Sequence, residues 1–190
     1  MQAHLDTEKH LAKLAAEDAS FTYTSIREGL YSESTPIYTA FFDPRSPADE
    51  IRIPHDGSGP GVAWVKRDEL GEASAKLIAR FVGDREGFQY VNRKVLLTGS
   101  RVWTLAETVE VLGKLAGRGD VRIREVGVDE YVELPQVLRV FGGEEKARTW
   151  ATAWEGIRKG ETAVVTRDLE EILGRRPEDF ETTVTKHFAK

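Results

Sequence analysis

The chain has 190 residues, with 27 basic and 32 acidic side chains, a formal charge of −5 and a hydrophobic fraction of 40%. That length suits one α/β domain or one and a half small ones, and the apolar content suffices for a real core, which excludes a disordered tail. The charges are interspersed without a basic block, which argues against nucleic acid and anionic membrane as partners, and the absence of cysteine excludes disulfides, thiolate metal sites and cysteine nucleophiles together. Four histidines (His4, His10, His55, His187) are scattered without metal-ligand spacing, so no metal site is expected. No run of about 18 apolar residues occurs, and the amino terminus lacks the apolar segment of a secretory signal, so a soluble cytoplasmic protein is the default expectation.

The periodicity predicts an amphipathic helix over residues 1–16. His4, Thr7, Leu11 and Leu14 line its inward face, and Asp6, Glu8, Lys9 and Lys13 lie largely elsewhere. No strand precedes this helix, as though earlier strand–helix units of an α/β protein were missing. The stretch 21–34, FTYTSIREGLYSES, then reads as a buried strand ending in a polar loop. Phe21, Tyr23, Ser25 and Arg27 alternate with Thr22, Thr24 and Ile26, and Gly29 allows main chain to come close to a ligand. Ligands of open α/β sheets lie outside the carboxyl ends of strands, so the function is expected where this strand stops.

Prolines and glycines over residues 35–61 imply an irregular connection, with a helical turn at 36–42 and a short strand at 51–53 inside it. The GSGPG run at 57–61 follows no buried strand and opens onto the strand-like VAWV, whereas a phosphate-cradling loop opens onto a helix. Residues 62–65 read as a short strand. Asp68 is the expected N-cap of a helix whose stripe is Leu70, Ala73, Leu77, Ile78 and Phe81. Residues 95–97 are an apolar run of the kind covered on both faces in parallel sheets. Thr104 with Glu107 predicts a capping box for a helix burying Leu105, Val109, Leu112 and Leu115, ended by Gly117 and Gly119. Residues 121–124 alternate as an edge strand does. Helices are expected over 129–140, 144–159, 167–173 and 177–188.

Tyr90 and Lys94 match the Y-x-x-x-K spacing of a tyrosine acid and its lysine on one helix face. The match falls where the backbone should be extended, with the two residues roughly 13 Å apart, so it is read as a coincidence. His4 sits on the expected inward stripe of the first helix and could donate to a ribose or carry a proton. Tyr31, Glu33 and Ser34 supply polar groups beyond Gly29. Trp150 and Trp154 are candidates for lining an aromatic substrate pocket, or for packing a small lobe.

HLDTEKHL at 4–11, FTYTSIREGLYSES at 21–34, the strand–Asp68–helix segment and VLLTGSRVWTLAETVEVL at 95–112 together resemble the carboxyl-terminal two-thirds of the NmrA-like branch of atypical short-chain dehydrogenases/reductases. That branch includes NAD(P)H:quinone oxidoreductases and isoflavone-reductase-like enzymes. The resemblance implies the C-terminal part of a Rossmann-like α/β parallel sheet, with a partial NAD(P)-binding domain and substrate-side insertions over 1–127 and a small, mainly helical lobe over 128–190.

It also implies site residues. In relatives the helix matching residues 4–16 often carries a lysine near the nicotinamide ribose, and His4 stands at that place, as a histidine does in quinone-reducing relatives. The strand end matching 27–33 lies near the nicotinamide, which points to Glu28, Gly29 and Tyr31 as cofactor contacts, with Glu28 in place of a small polar residue or proline. His4 and Tyr31 are then the catalytic candidates, and Glu33, Ser34, Trp150 and Trp154 the substrate-pocket candidates. Family members begin with a glycine-rich strand–turn–helix that grips the pyrophosphate, and nothing here matches it. NADP or NAD is therefore expected to bind weakly or not at all to this stretch alone. The resemblance implies a small-molecule acceptor, quinone-like or otherwise conjugated. It leaves open a non-catalytic NAD(P) sensor acting through a protein partner, an inactive product, and a homo-oligomer.

Overall fold

The computed structural model describes residues 2–189. Helix α1 (Gln2–Glu17) leads to strand β1 (Thr24–Glu28), which pairs in parallel with β3 (Arg93–Leu97), placing Ile26 opposite Val95 and Glu28 opposite Leu97. Val95 and Leu97, on one face of this pair, are buried in a core cluster, and Ile26 packs against it. A second parallel pair joins β2 (Glu50–Ile53) to β4 (Arg122–Glu125), with Ile51 opposite Ile123. The strands thus form two separate two-stranded ladders.

The segment 62–65 links residues 30–32, just beyond β1, to Trp103, and it is not the regular strand its composition suggests. Val62 exchanges two backbone hydrogen bonds with Trp103 (2.8 and 2.9 Å), and Val65 bonds Leu30 and Ser32 on either side of Tyr31 (3.0 and 2.9 Å). Each end serves a different neighbour, so no continuous ladder develops, yet every residue from 62 to 65 is buried. Val62 and Trp64 face one core cluster and Val65 the other. Trp64 also donates its indole N–H to Thr108 Oγ1 at 3.0 Å, which satisfies a polar group that burial would otherwise penalise.

Helix α2 (Thr35–Tyr38) is the expected helical turn. Helix α3 (Arg67–Gly83) begins two residues earlier than expected: Lys66 is its N-cap and Asp68 lies in its first turn. The orphan N–H of Arg67 is taken by the Glu33 carboxylate (3.2 and 3.3 Å), so the loop after β1 caps a helix distant in sequence. Leu70, Ala73 and Leu77 are buried, whereas Ile78 is 65% exposed, against the expected stripe. Helix α4 (Leu105–Leu115) carries the capping box: Glu107 N–H donates to Thr104 Oγ1, and Thr104 N–H to Glu107 Oε2.

The remainder is helical but more broken than periodicity indicated. The helix expected over 129–140 is two, α5 (Val128–Val132) and α6 (Pro135–Phe141), because Pro135 has no N–H to continue a helix and is favoured at its start. That expected over 144–159 is α7 (Glu144–Ala151) and α8 (Ala153–Arg158), separated at Thr152. Helices α9 (Asp168–Leu173) and α10 (Phe180–Phe188) return toward the first part of the chain. Leu169 and Ile172 pack with Leu70 and Leu97, and Phe180 stacks on Trp64 at 5.7 Å between ring centroids.

Candidate functional site

The strand end of β1 gathers five of the candidate residues. Tyr31 Oη donates to Glu28 Oε2 at 2.5 Å, a short, charge-assisted bond, and this bond holds the phenol above its ordinary pKa. Glu28 is exposed and Tyr31 half-buried. Between them Gly29 N–H donates to Leu97 O at 2.8 Å, continuing the β1–β3 pairing one residue past the strand. A Cβ on Gly29 would come within 3.2 Å of Leu97 O and 3.3 Å of Val65 Cγ1, so glycine there lets two backbones approach. Glu33, a half-buried residue of the 3₁₀ turn Ser32–Ser34, spends its carboxylate on the start of α3. Ser34, also half-buried, donates its N–H to Tyr31 O, closing the turn at 2.9 Å.

His4 stands apart from this group. It is exposed on α1, and no side-chain hydrogen bond or ion pair among the described residues involves it. The one buried side chain of α1 is Glu8, which the sequence placed outward; Leu11, Leu14 and Ala15 are half-buried beside it. Glu8 takes two hydrogen bonds from Arg27 (2.5 and 2.8 Å) and one from Ser25 (3.1 Å), with Lys94 Nζ at 3.5 Å. The Arg27 hydrogen bonds hold its carboxyl at about 2, well below the usual range, against the opposing effect of burial. A signal for this pair was present in the strand pattern, since an arginine on a covered strand face requires a buried carboxylate.

Trp150 and Trp154 fall on different helices. Trp154 is fully buried with its ring 4.7 Å from that of Tyr131, and Trp150 packs on Tyr38 (5.5 Å) and Phe141 (5.9 Å). Tyr90 lies in the turn before β3 and Lys94 on that strand, so they do not share a helix face. Two surface concavities, of about 350 and 380 Å³, lie elsewhere: one at Arg80, Asp84 and Tyr90, the other at Glu110, Lys114 and Arg122. Among the described residues no cluster of three His, Asp or Glu side chains could hold a metal ion, and no helix is long and apolar enough to cross a membrane.

Against known sequences, 179 residues, 93% of this chain, are 35% identical to the NmrA-like family domain-containing oxidoreductase flvB of Aspergillus flavus. The chain is NmrA-like. It spans about half (52%) of the length of that relative, and no family model matches it. The NmrA-like chain superimposes over its whole length on 61% of the NADPH-dependent quinone oxidoreductase QOR2 of Escherichia coli, with a TM-score of 0.71 and 21% identity. It superimposes over 94% of its length on 57% of the triphenylmethane reductase of Citrobacter sp., with a TM-score of 0.70 and 21% identity. It has the mixed α/β fold of the carboxyl-terminal part of these Rossmann-like reductases.

Proposed function

We propose that this NmrA-like chain provides the nicotinamide-side and substrate-side portion of an NAD(P)H-dependent oxidoreductase acting on a quinone-like or other conjugated small molecule. The observation that carries the proposal is the 35% identity, over 93% of the chain, to a relative described as an oxidoreductase. QOR2 and the Citrobacter reductase, which share the fold, have been solved as complexes with NADPH and NADP(H).

The residues present fit one end of a dinucleotide. At the carboxyl end of β1 the exposed Glu28 carboxylate retains acceptor capacity after binding Tyr31, as suits ribose hydroxyls or a carboxamide. The described residues contain no glycine-rich strand–turn–helix for the diphosphate, so most of the cofactor's affinity has to come from elsewhere. A bound reduced nicotinamide supplies the hydride. This chain's share is to orient the ring edge through Glu28 and Tyr31, to carry a proton at His4 or Tyr31 Oη, and to seat the acceptor between the Ser32–Ser34 turn and the aromatic wall at Trp150, with Trp154 buttressing that wall from the core.

NADPH fluorescence titration, run on this chain alone and on this chain joined to the dinucleotide-binding half of an NmrA-like relative, tests the proposal. Weak or no binding alone, binding when joined, and NADPH consumption with one member of a quinone panel are expected. Binding without turnover of any acceptor would support the NAD(P)-sensing alternative, and no binding by the joined protein would overturn the cofactor assignment.

A further inference from the structure

Donors from two strands close on the buried carboxylate of α1. Ser25 Oγ and Arg27 Nε donate to Glu8 Oε1, Arg27 Nη2 donates to Oε2, and Lys94 Nζ stands 3.5 Å from Oε2. Ser25 and Arg27 are two apart on β1 and so share a face, and Lys94 lies opposite Ser25 in the register with β3. A carboxylate held through both oxygens fixes the height of α1 along the sheet and the rotation of the helix about its axis. Every residue from Gln2 to Thr7 is exposed, and the half-buried Leu11, Leu14 and Ala15 all lie beyond Glu8. Glu8 is therefore the anchor nearest the start of the helix.

The exit of α1 sets its direction. Leu14 O accepts the Asp18 N–H and Asp18 O accepts the Phe21 N–H, so the chain reverses within residues 18–20. Tyr23 then exchanges hydrogen bonds with Asn92, beside the start of β3. The carboxyl end of α1 thus lies at the amino end of β1, and the helix runs antiparallel to the strand. His4 is one turn before Glu8, on the same helix face and about 6 Å farther along. Two strand residues beyond Arg27 cover roughly 7 Å and end at Gly29. The placement of Glu8 therefore brings His4 level with the strand end that carries Glu28 and Tyr31.

We propose that Glu8 is the positioning residue for His4: by locking α1 onto Ser25, Arg27 and Lys94 it presents the imidazole at the carboxyl end of β1. There a protonated His4 can deliver the proton that follows hydride onto a carbonyl acceptor, and is left neutral. This chemical role rests on the proposed reductase function, whereas the placement of His4 is decided within this chain.

Because the chain has no cysteine, spin labels on His4→Cys and Glu28→Cys read the placement by electron paramagnetic resonance without any turnover. A single narrow distance is expected. Glu8→Gln should broaden it, and so should Arg27→Lys, which keeps the charge but gives up the two-point grip; circular dichroism confirms that each variant is folded. In the chain joined to the dinucleotide-binding half of a relative, Glu8→Gln should lower kcat at least fivefold with the KM for NADPH within twofold. In the His4→Ala background it should add nothing. A label distance that neither variant changes, a full rate for Glu8→Gln, or a further slowing of the His4→Ala protein by Glu8→Gln would each overturn the proposal. A joined protein that reduces no acceptor would end the reductase reading, and the label distance would still decide the placement.

Discussion

Arg27 grips Glu8 with two nitrogens on two oxygens, at 2.5 and 2.8 Å, and that grip is what attaches α1 to β1. Glu8 is the one buried side chain of the helix, so α1 is held by a charge pair more than by an apolar stripe. Glu8→Gln should therefore destabilise the chain by about 2 kcal/mol, the order expected for hydrogen bonds to a charged group. Proteolysis should cut the amino-terminal segment first. Guanidinium denaturation with limited proteolysis checks both, and an unchanged midpoint would show that α1 is anchored otherwise.

The same pair sets an acid limb of stability. The folded carboxyl of Glu8 is held at about 2, below the ordinary 4.5 it regains on unfolding, so its contribution is complete above about pH 4.5 and is lost as the pH falls toward 2. Glu178 behaves alike: burial alone would raise it, but Lys186 and Lys66 outweigh burial and hold it at about 2. Thermal melts between pH 6 and 2 should show the fall, and Glu8→Gln should make it shallower.

His55 should contribute a separate, higher limb. It is buried, and its Nδ1 accepts the Gly57 N–H at 2.9 Å, so that nitrogen carries no proton and makes no ion pair with Asp56. Burial, reinforced by Arg158, pushes its pKa below 6.5. The unfolded chain then binds a proton that the folded chain refuses, and stability declines as the pH falls below about 6.5. His55→Gln should flatten the melting curve in that window while leaving the Glu8 limb in place. Persistence of the higher limb in the variant would assign it to another group.

Two glycines should respond very differently to alanine. At Gly29 the added methyl finds neighbours at 3.2 and 3.3 Å that can yield slightly, and a loss of about 1 kcal/mol is expected. At Gly99 it would fall 1.8 Å from Trp64 O, inside the backbone of the 62–65 segment, and about 4 kcal/mol or outright failure to fold is expected. Denaturation midpoints of the two variants give the comparison; equal effects would mean that the 62–65 segment shifts freely.

In a catalytically complete NmrA-like protein carrying this chain, His4→Ala should lower kcat at least tenfold and Tyr31→Phe should lower it while leaving stability nearly unchanged, since the Tyr31–Glu28 bond is solvent-exposed. Steady-state kinetics with NADPH and a quinone, alongside melts, separate the two effects. An unchanged rate for His4→Ala would remove that residue from the chemistry.

Local chemistry alone determined a good deal of this protein. The strand ending at Glu28, the Thr104–Glu107 capping box and the helical carboxyl-terminal third follow from alternation, cap residues and 3.6-residue spacing, which operate within a few residues of chain. The resemblance carried by residues 4–34 and 95–112 was legible for the same reason, being written in contiguous runs. Only the tertiary structure decided that Glu8 faces inward, because its partner Arg27 is nineteen residues away. The start of α3 likewise depended on Glu33, thirty-four residues upstream. The buried segment 62–65 failed to become a strand because each of its ends bonds a different neighbour, and the chain pattern of a residue contains no record of which distant backbone will lie beside it.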